Sequence, residues 1–169
     1  MTIEGGGITL TRDYTVGGGI TGSSQLLCND KSGITVTIRR IHFKDGIATD
    51  HGGAIRSDYA TFNLESCIFT GNKTTNLLAY GGAVYTNAGT LNVRGCTFYN
   101  NETYRGGAIY QVKAASKTTL TGNIFYGNKA TNGDSVIYNS SGTVTSGGYN
   151  VYDSTSSFFT GTNDTQIAT

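Results

Sequence analysis

Short segments in which apolar and polar residues alternate recur along the chain at a nearly constant distance. From Phe43 onward, a phenylalanine closes such a segment at positions 69, 98 and 125, so the repeat is 26 to 29 residues long. No window shows the i, i+3, i+4, i+7 spacing of an amphipathic helix. A repeat of this length predicts a solenoid, in which each unit buries its apolar face only by stacking on the next unit.

Within each repeat the alternation changes phase by one residue, which predicts two short strands that meet at a corner. In the second repeat Phe62 and Leu64 share one face, whereas Cys67 and Phe69 continue the apolar pattern only after a shift of one position. A strand cannot make that shift without bending, because a slip of one residue exchanges its two faces. The residues at the shift in the four repeats are Arg40, Ser66, Gly95 and Gly122.

A third strand is predicted after a pair of glycines. The tetrapeptide Gly-Gly-Ala-Ile or Gly-Gly-Ala-Val begins at positions 52, 81 and 106, and Phe-x-x-Asn follows each time, at 69, 98 and 125. The pattern predicts an all-β fold, a right-handed single-stranded parallel β-helix with three strands in each coil. Earlier and later copies give about six coils, and at ~4.8 Å per coil the rod is roughly 25–30 Å long.

The asparagine of Phe-x-x-Asn is expected to serve the turn that follows each aromatic strand. Asparagine tolerates the left-handed backbone conformation that tight turns need. Identical amides in stacked coils are also expected to hydrogen-bond to one another along the rod. The three asparagines are Asn72, Asn101 and Asn128.

Composition agrees with a fold made of strands and tight turns. The 169 residues include 25 glycines and no proline, only 14% are charged, and the net charge is +1. Lysines and arginines are scattered, which argues against nucleic acid and against insertion into or binding to an anionic membrane. No segment approaches the ~20 apolar residues of a membrane helix, and no signal peptide is recognisable. We treat residues 1–169 as a single domain and expect it to be a fragment of a longer solenoid.

The three cysteines have neither the number nor the spacing of a zinc site or a disulfide framework. Cys67 and Cys96 each precede the repeat phenylalanine by two residues, so they occupy equivalent positions in neighbouring coils. We interpret them as small buried apolar side chains that stack on each other. A strand separation of ~4.8 Å is also compatible with a disulfide between them.

The alternating Gly-Gly-Ala-[Ile/Val] and Phe-x-x-Asn tetrapeptides resemble the polymorphic outer membrane protein repeats of chlamydial surface autotransporters. They also resemble the broader class of adhesin-like β-helix surface proteins of bacteria and archaea. The resemblance covers roughly residues 33–140, and residues 147–153 are similar to the last coils of such proteins. Two repeats depart from it, because residues 43–46 end in glycine and residues 134–137 read Asp-Ser-Val-Ile. The resemblance implies secretion or display at the cell surface, with adhesion to a host or matrix protein or glycan.

A carbohydrate-active enzyme is the main alternative, because parallel β-helices also include polysaccharide lyases and glycoside hydrolases. Glycosidases need paired carboxylates, whereas Glu65 lies between Arg39 and Arg94 in equivalent outward positions, with no second acid stacked against it. Alternating charge of this kind is typical of a solvated ladder on neighbouring strands. We therefore predict no catalytic residues.

No metal and no cofactor are predicted either. Four residues that offer metal-ligand side chains lie close in sequence around the first Gly-Gly corner, but their spacing matches no metal loop. They are Asp45, Asp50, His51 and Asp58. A third functional class, a self-assembling structural unit, is suggested by the strand edges that both ends of a β-helix expose. End-to-end self-association is therefore a further expectation.

The predicted partner-binding surface is the outward row that follows the aliphatic residue of each Gly-Gly tetrapeptide. By alternation these side chains point away from the core, and we expect their hydroxyl ends to reach solvent. Exposed Tyr and Arg offer ring faces, hydroxyls and a cation to a glycan or a protein. The alternative is a row that only stabilises the stack through cross-strand pairing. The residues are Arg56, Tyr85, Tyr110 and Tyr138.

Two corner loops of unequal length are further candidates for partner contacts. The first, residues 73–80, carries the adjacent Leu77 and Leu78, and the second spans residues 111–117. Insertions in solenoids collect on loops, often on the binding face.

Overall fold

The computed structural model describes residues 1–11 and 25–168, which form an all-β parallel solenoid of about five turns. Every strand pairing in these residues is parallel. The described residues include no helix, and therefore none with the length and apolar character needed to cross a membrane.

Equivalent strands of successive turns stack into four sheets, numbered here in the order in which the chain passes through them. Sheet I consists of Thr2–Glu4, Thr35–Arg39, Thr61–Glu65, Thr90–Arg94, Lys117–Thr121 and Thr143–Ser146. Sheet II consists of Thr9–Thr11, His42–Lys44, Ile68–Thr70, Thr97–Tyr99, Ile124–Tyr126, Val151–Tyr152 and Thr165–Gln166. Sheet III consists of Ile47–Ala48, Lys73–Thr74, Glu102–Thr103 and Lys129–Ala130. Sheet IV consists of Leu27–Asn29, Ile55–Asp58, Val84–Asn87, Ile109–Val112 and Ile137–Asn139.

A complete turn passes through four sheets, whereas three strands per coil were expected. The additional sheet III consists of strands of only two residues, such as Lys73–Thr74, placed directly after the asparagine turn. Two residues are too few to show alternation, so the hydrophobic pattern does not reveal this sheet. The other three sheets correspond to the three predicted strands.

The phase shift between the first two strands is confirmed and has a backbone cause. Arg40 and Ser66 have φ angles of 52° and 53°, and Gly95 and Gly122 have φ angles of 61° and 65°. Each is a single left-handed residue between sheets I and II, and such a residue turns the chain sharply. Because of this turn, the side chain after it again points into the solenoid, as Cys67 does.

The core contains the predicted stack of phenylalanines. Phe43, Phe69, Phe98 and Phe125 are fully buried, and successive ring centroids lie 4.9, 4.7 and 4.9 Å apart with nearly parallel planes. Beside them, Cys67 and Cys96 are buried free thiols in neighbouring coils, and the Cys67 backbone N–H donates to Cys96 Sγ at 3.4 Å. The buried, stacked arrangement predicted for the two cysteines is confirmed.

The asparagine ladder is confirmed, but the expected left-handed conformation belongs to the preceding residue. Gly71, Asn100 and Gly127 have positive φ, whereas Asn72, Asn101 and Asn128 do not. The Asn72 amide donates to Asn101 Oδ1 at 2.9 Å, and the Asn101 amide donates to Asn128 Oδ1 at 2.9 Å. Each amide also donates to a backbone carbonyl, which for Asn101 is that of Phe69 at 3.0 Å. The buried side chains thus join each coil to its neighbours.

The Gly-Gly step brings the backbones of neighbouring coils into direct contact. A Cβ at Gly53 would lie 2.3 Å from the carbonyl oxygen of Gly82, and a Cβ at Gly82 would lie 2.1 Å from that of Gly107. No side chain fits there, so the second glycine of the pair is required by the stacking of coils.

Candidate functional site

The row predicted as a binding surface lies in register on sheet IV. Arg56 pairs with Tyr85, Tyr85 with Tyr110, and Tyr110 with Tyr138. The tyrosine ring centroids are 5.8 and 5.4 Å apart, and the rings are nearly parallel. None of these side chains belongs to the hydrophobic core cluster, so the row faces away from the core as alternation predicted.

The expectation that this row is exposed is wrong for its two central members. Only 7% of Tyr85 and 4% of Tyr110 is accessible, because a second layer of side chains covers them. The His51 ring stacks on Tyr85 at 4.5 Å, and the Tyr80 ring stacks on Tyr110 at 4.4 Å. The burial favours the structural interpretation of the tyrosine row and leaves its outer layer as the accessible surface.

The covering layer comes from the residue just before each Gly-Gly pair. His51, Tyr80 and Arg105 occupy this position in three successive coils, and Tyr80 and Arg105 form a parallel bridge. The guanidinium carbon of Arg105 lies 5.0 Å from the centroid of the Tyr138 ring. Arg105 thus covers Tyr138 in the same way that His51 covers Tyr85 and Tyr80 covers Tyr110. A planar side chain before each Gly-Gly pair was the signal in the sequence for this second layer.

Two further residues extend the covering layer at the third coil. The Tyr104 ring lies 6.4 Å from the Tyr80 ring, and the Arg105 guanidinium carbon lies 5.4 Å from the Tyr104 ring centroid. The exposed Asn132 amide donates to the Tyr104 hydroxyl at 2.6 Å. We name this region the corner surface and define it as His51, Tyr80, Tyr104, Arg105, Asn132 and Tyr138.

Arg105 is the positive charge of the corner surface, and within the described residues it has no ion-pair partner. Its Nε atom is buried, and none of the described residues supplies it with a hydrogen-bond acceptor. By contrast, Arg39 pairs with Glu65 at 2.5 Å and Arg40 pairs with Glu4 at 3.0 Å. Arg105 therefore combines a buried donor, two aromatic neighbours and a charge that no described carboxylate neutralises.

The other end of the row is an internally neutralised cluster. Arg56 forms ion pairs with Asp50 and with the buried Asp58, whose carboxylate lies 2.8 Å from Arg56 Nε. Asp58 also accepts a hydrogen bond from the Asn87 amide at 2.9 Å. Arg56 is half-buried and is ion-paired with two carboxylates of the same chain, which favours a structural role for this member of the predicted site.

His51 is held as a neutral imidazole by its contacts. Its Nδ1 accepts the backbone N–H of Tyr80 at 3.1 Å, and its Nε2 lies 3.3 Å from Asp50 Oδ1. Burial lowers the pKa of His51, and this effect outweighs the negative charge of Asp50, which acts to raise the pKa. Burial likewise raises the pKa of Tyr85 to about 12, so its hydroxyl is un-ionised at neutral pH.

Three acidic residues that were considered and not predicted as metal ligands or catalysts form contacts with arginines in the described structure. Asp50 and Asp58 are bound to Arg56, and no group of three or more potential metal ligands occurs within residues 1–11 and 25–168. The Arg39 side chain, through its hydrogen bond, lowers the pKa of Glu65. Glu65 is thus an ionised member of the outward charge ladder, in register with Arg39 and Arg94.

Sheet II carries an exposed aromatic pair that the sequence analysis did not single out. Tyr99 and Tyr126 are 43% and 44% accessible, and their ring centroids lie 6.1 Å apart. The signal was present as the dipeptide Phe-Tyr at 98–99 and 125–126, where alternation places the tyrosine outside. On the corner loop, Leu77 and Leu78 are 82% and 66% accessible.

A cavity of about 570 Å³ lies where sheets I and II meet near the first turns. Its lining includes Arg40, His42 and Ser66. Arg40 already pairs with Glu4, and His42 Nε2 lies 2.7 Å from the Thr70 hydroxyl. Arg40 and His42 are therefore engaged within the protein, unlike the guanidinium of Arg105.

Comparisons of the chain with protein-family models, with curated proteins and with solved structures gave no match.

Proposed function

We propose that this chain is a non-catalytic β-solenoid module of a cell-surface or secreted protein, and that it acts as a structural rod and adhesin. The observation that carries the proposal is the unbroken stacking of equivalent side chains, exemplified by the buried phenylalanine stack and the asparagine ladder. Such stacking fixes the interior of each coil and leaves the outward positions free to vary. A rod of this kind presents a long surface to partners instead of a single cleft.

The electrostatics of the outward acids support a binding role over catalysis. Glu65 is ion-paired with Arg39, and Asp50 and Asp58 are ion-paired with Arg56. A general acid needs a raised pKa, whereas the ion pair lowers that of Glu65. These carboxylates are arranged for stability and charge balance.

Details of the coil belong to the same proposal. We assign it a right-handed course, the usual hand of parallel crossovers, and about six coils when the incomplete terminal turns are included. Three strands of each coil carry the alternating pattern, and the two-residue strand of sheet III braces the asparagine turn.

We place the partner-binding surface on the corner surface. Arg56, Tyr85 and Tyr110 support it from beneath, and Tyr138 belongs to both layers. The partner class is a host or matrix protein or glycan. Aromatic and arginine side chains suit such a surface because they combine large contact area with polar groups.

Adhesion of the purified protein to host cells or to extracellular matrix tests the proposal. We expect the wild type to adhere and Tyr104→Ala to reduce adhesion, with Tyr149→Ala, an exposed tyrosine of the last coil, as the matched control. In parallel, pectic, alginate and chondroitin-type polymers are incubated with the protein while unsaturated products and reducing ends are followed. Turnover that disappears in Glu65→Gln would establish the enzyme alternative, and absence of adhesion would remove the adhesin role.

A further inference from the structure

We propose that Arg105, which lies close to the rings of Tyr104 and Tyr138, binds the carboxylate of an acidic glycan built from uronate sugars. This inference rests on the proposed function, because it names the partner class for the same surface. It follows from three features of the site, namely an unneutralised charge, two aromatic rings close to the guanidinium, and neighbouring groups that suit a sugar.

The charge of Arg105 calls for an anion. No carboxylate of residues 1–11 and 25–168 lies within ion-pair distance of it, and its Nε is buried without an acceptor. A cation partly removed from water gains more from an anionic ligand than a fully solvated one does, because the surrounding dielectric is lower. The site is therefore selective for ligands that carry a negative charge.

Two aromatic rings lie close to the guanidinium of Arg105. Its carbon lies 5.0 Å from the Tyr138 ring centroid and 5.4 Å from that of Tyr104. A guanidinium is planar, and its edge matches a carboxylate through two parallel hydrogen bonds. The ligand expected on geometric grounds is thus a carboxylate.

The two rings are themselves fixed. A Cβ at Gly133 would lie 2.7 Å from the Tyr138 ring, so this ring packs directly on the glycine backbone. The Tyr104 hydroxyl accepts the Asn132 amide at 2.6 Å. Little conformational entropy remains to be lost when a ligand binds, which favours affinity.

The neighbouring groups favour a glycan over an acidic peptide. One cation is accompanied by aromatic rings, a phenolic hydroxyl and an amide, and this set matches a sugar that carries one carboxylate among several hydroxyls. A peptide with consecutive carboxylates calls for several cations, by charge complementarity. Arg105 is the single cationic side chain of the corner surface at neutral pH, with His51 held neutral.

The test measures binding of defined oligosaccharides by isothermal titration calorimetry at low salt. The probes are hexasaccharides of galacturonate, mannuronate and hyaluronan, with cellohexaose as the neutral sugar and hexaglutamate as the acidic peptide. We expect the wild type to bind at least one uronate hexasaccharide and Arg105→Gln to weaken it by about tenfold or more, the effect of losing a charge-assisted hydrogen bond. Arg105→Lys keeps the charge but loses the two-pronged geometry, and we expect an intermediate loss.

Arg94→Gln is the matched control, because it removes an equal charge from an exposed strand position beside Glu65. We expect it to change the affinity by less than about twofold, in line with a screened surface charge. Circular dichroism and thermal unfolding confirm that each variant keeps the fold. Equal losses in Arg94→Gln and Arg105→Gln, binding to no uronate probe, or equal binding of cellohexaose or hexaglutamate would each overturn the inference.

The same variants separate this inference from the proposed function. If the wild type adheres to cells or matrix while no uronate probe binds, or while uronate binding is unchanged in Arg105→Gln, the adhesin role stands and the carboxylate site is refuted. If uronate binding depends on Arg105 while no adhesion is measured, the site stands and the adhesin role is refuted.

Discussion

At the scale of single residues, His51 shows how one side chain links two layers and two coils. Its ring lies against Tyr85 at 4.5 Å and against Tyr80 at 5.0 Å, while Nδ1 accepts the Tyr80 backbone N–H. Only the neutral imidazole has a lone pair at Nδ1 for that hydrogen bond. Protonation of His51 therefore breaks a contact between neighbouring coils.

We predict that acidification destabilises the protein through His51. Burial lowers the folded-state pKa below the ordinary value of 6.5. The stabilising contribution is thus complete above pH 6.5 and is lost as the pH falls through that value toward the folded-state pKa. In denaturant unfolding at pH 8 and pH 5.5, His51→Asn, which keeps an acceptor near Nδ1 but does not titrate there, should show a smaller loss of unfolding free energy than the wild type.

His42→Asn is the control for this pH effect. The pKa of His42 is also lowered by burial, so its contribution has the same sign, but His42 joins no covering layer. We expect His42→Asn to keep most of the wild-type loss between pH 8 and pH 5.5. The prediction is contradicted if His51→Asn loses as much unfolding free energy between pH 8 and pH 5.5 as the wild type does. It is also contradicted if the wild type becomes more stable on acidification.

A second residue-scale prediction compares a buried and an exposed tyrosine. Tyr110 is 4% accessible beneath Tyr80, whereas Tyr99 is 43% accessible on sheet II. Tyr110→Ala should lower the free energy of unfolding by roughly 3–5 kcal/mol, as for other buried aromatic truncations. Tyr99→Ala should change it by only about 0.5 kcal/mol. Urea titration measures both, and equal effects would mean that the covering layer does not form.

At the scale of the repeated elements, the asparagine ladder has the most demanding hydrogen-bond requirement. Asn101 Oδ1 accepts the Asn72 backbone N–H at 3.0 Å and the Asn72 amide at 2.9 Å, and its own amide donates to Phe69 and Asn128. All three asparagines are buried. Loss of one member leaves polar groups of its neighbours without partners.

Asn101→Ala is expected to destabilise the fold by roughly 3 kcal/mol or more, because each buried polar group left unpaired costs about 1–3 kcal/mol. Asn92→Ala is the matched control: this outward asparagine makes one amide hydrogen bond to Asn63, at 2.8 Å. We expect the control to cost less than about 1 kcal/mol. Unfolding in guanidinium chloride measures the loss of unfolding free energy in both variants. A larger loss in Asn92→Ala than in Asn101→Ala would contradict the proposed importance of the asparagine ladder.

Much of the element-scale structure follows from the sequence. The alternation predicted the three main strands, the inward phenylalanines and the phase shift at Arg40 and Ser66, because each of these is a local consequence of side-chain period. Sheet III was not predicted, since strands of two residues carry no period. The left-handed residue was assigned to the asparagine instead of its predecessor. Asparagine and glycine both tolerate positive φ, so residue type does not distinguish Asn72 from Gly71.

The candidate site was only partly predictable for a related reason. The alternation of apolar and polar residues correctly predicts that Tyr85 and Tyr110 face away from the core. It contains no information on which side chains cover them. The cover comes from corner residues such as Tyr80, whose direction depends on the Gly-Gly turn and not on strand period. The lack of a described partner for Arg105 is a property of three-dimensional distances, and no sequence pattern contains it.

At the scale of the whole molecule, the last coil is closed by side chains. The Phe159 ring stacks on Tyr152 at 4.3 Å and lies 5.5 Å from Phe125. A second ladder of buried asparagines includes Asn123, whose amide donates to Asn150 Oδ1. This ladder ends at the carboxylate of Asp164, which accepts both the backbone N–H and the amide of Asn150. Phe159 therefore extends the aromatic packing of the core at this end of the described structure.

The in-register stacking of coils is the premise of both the rod and the corner surface, and a cross-linking experiment tests it most directly. Asn63 and Asn92 are neighbours on sheet I, and Thr119 follows Asn92 one coil further on. In a Cys28→Ser background, Asn63→Cys with Asn92→Cys places two thiols ~4.8 Å apart between Cα atoms, within disulfide range. Asn63→Cys with Thr119→Cys places them ~9.6 Å apart, beyond that range.

After mild oxidation with glutathione, peptide mapping by mass spectrometry counts the intramolecular disulfide in each double variant. We predict that most molecules of the Asn63/Asn92 pair are cross-linked and that the Asn63/Thr119 pair stays reduced. A reduced Asn63/Asn92 pair, or equal cross-linking of the two pairs, would contradict the stacking of equivalent residues in successive coils.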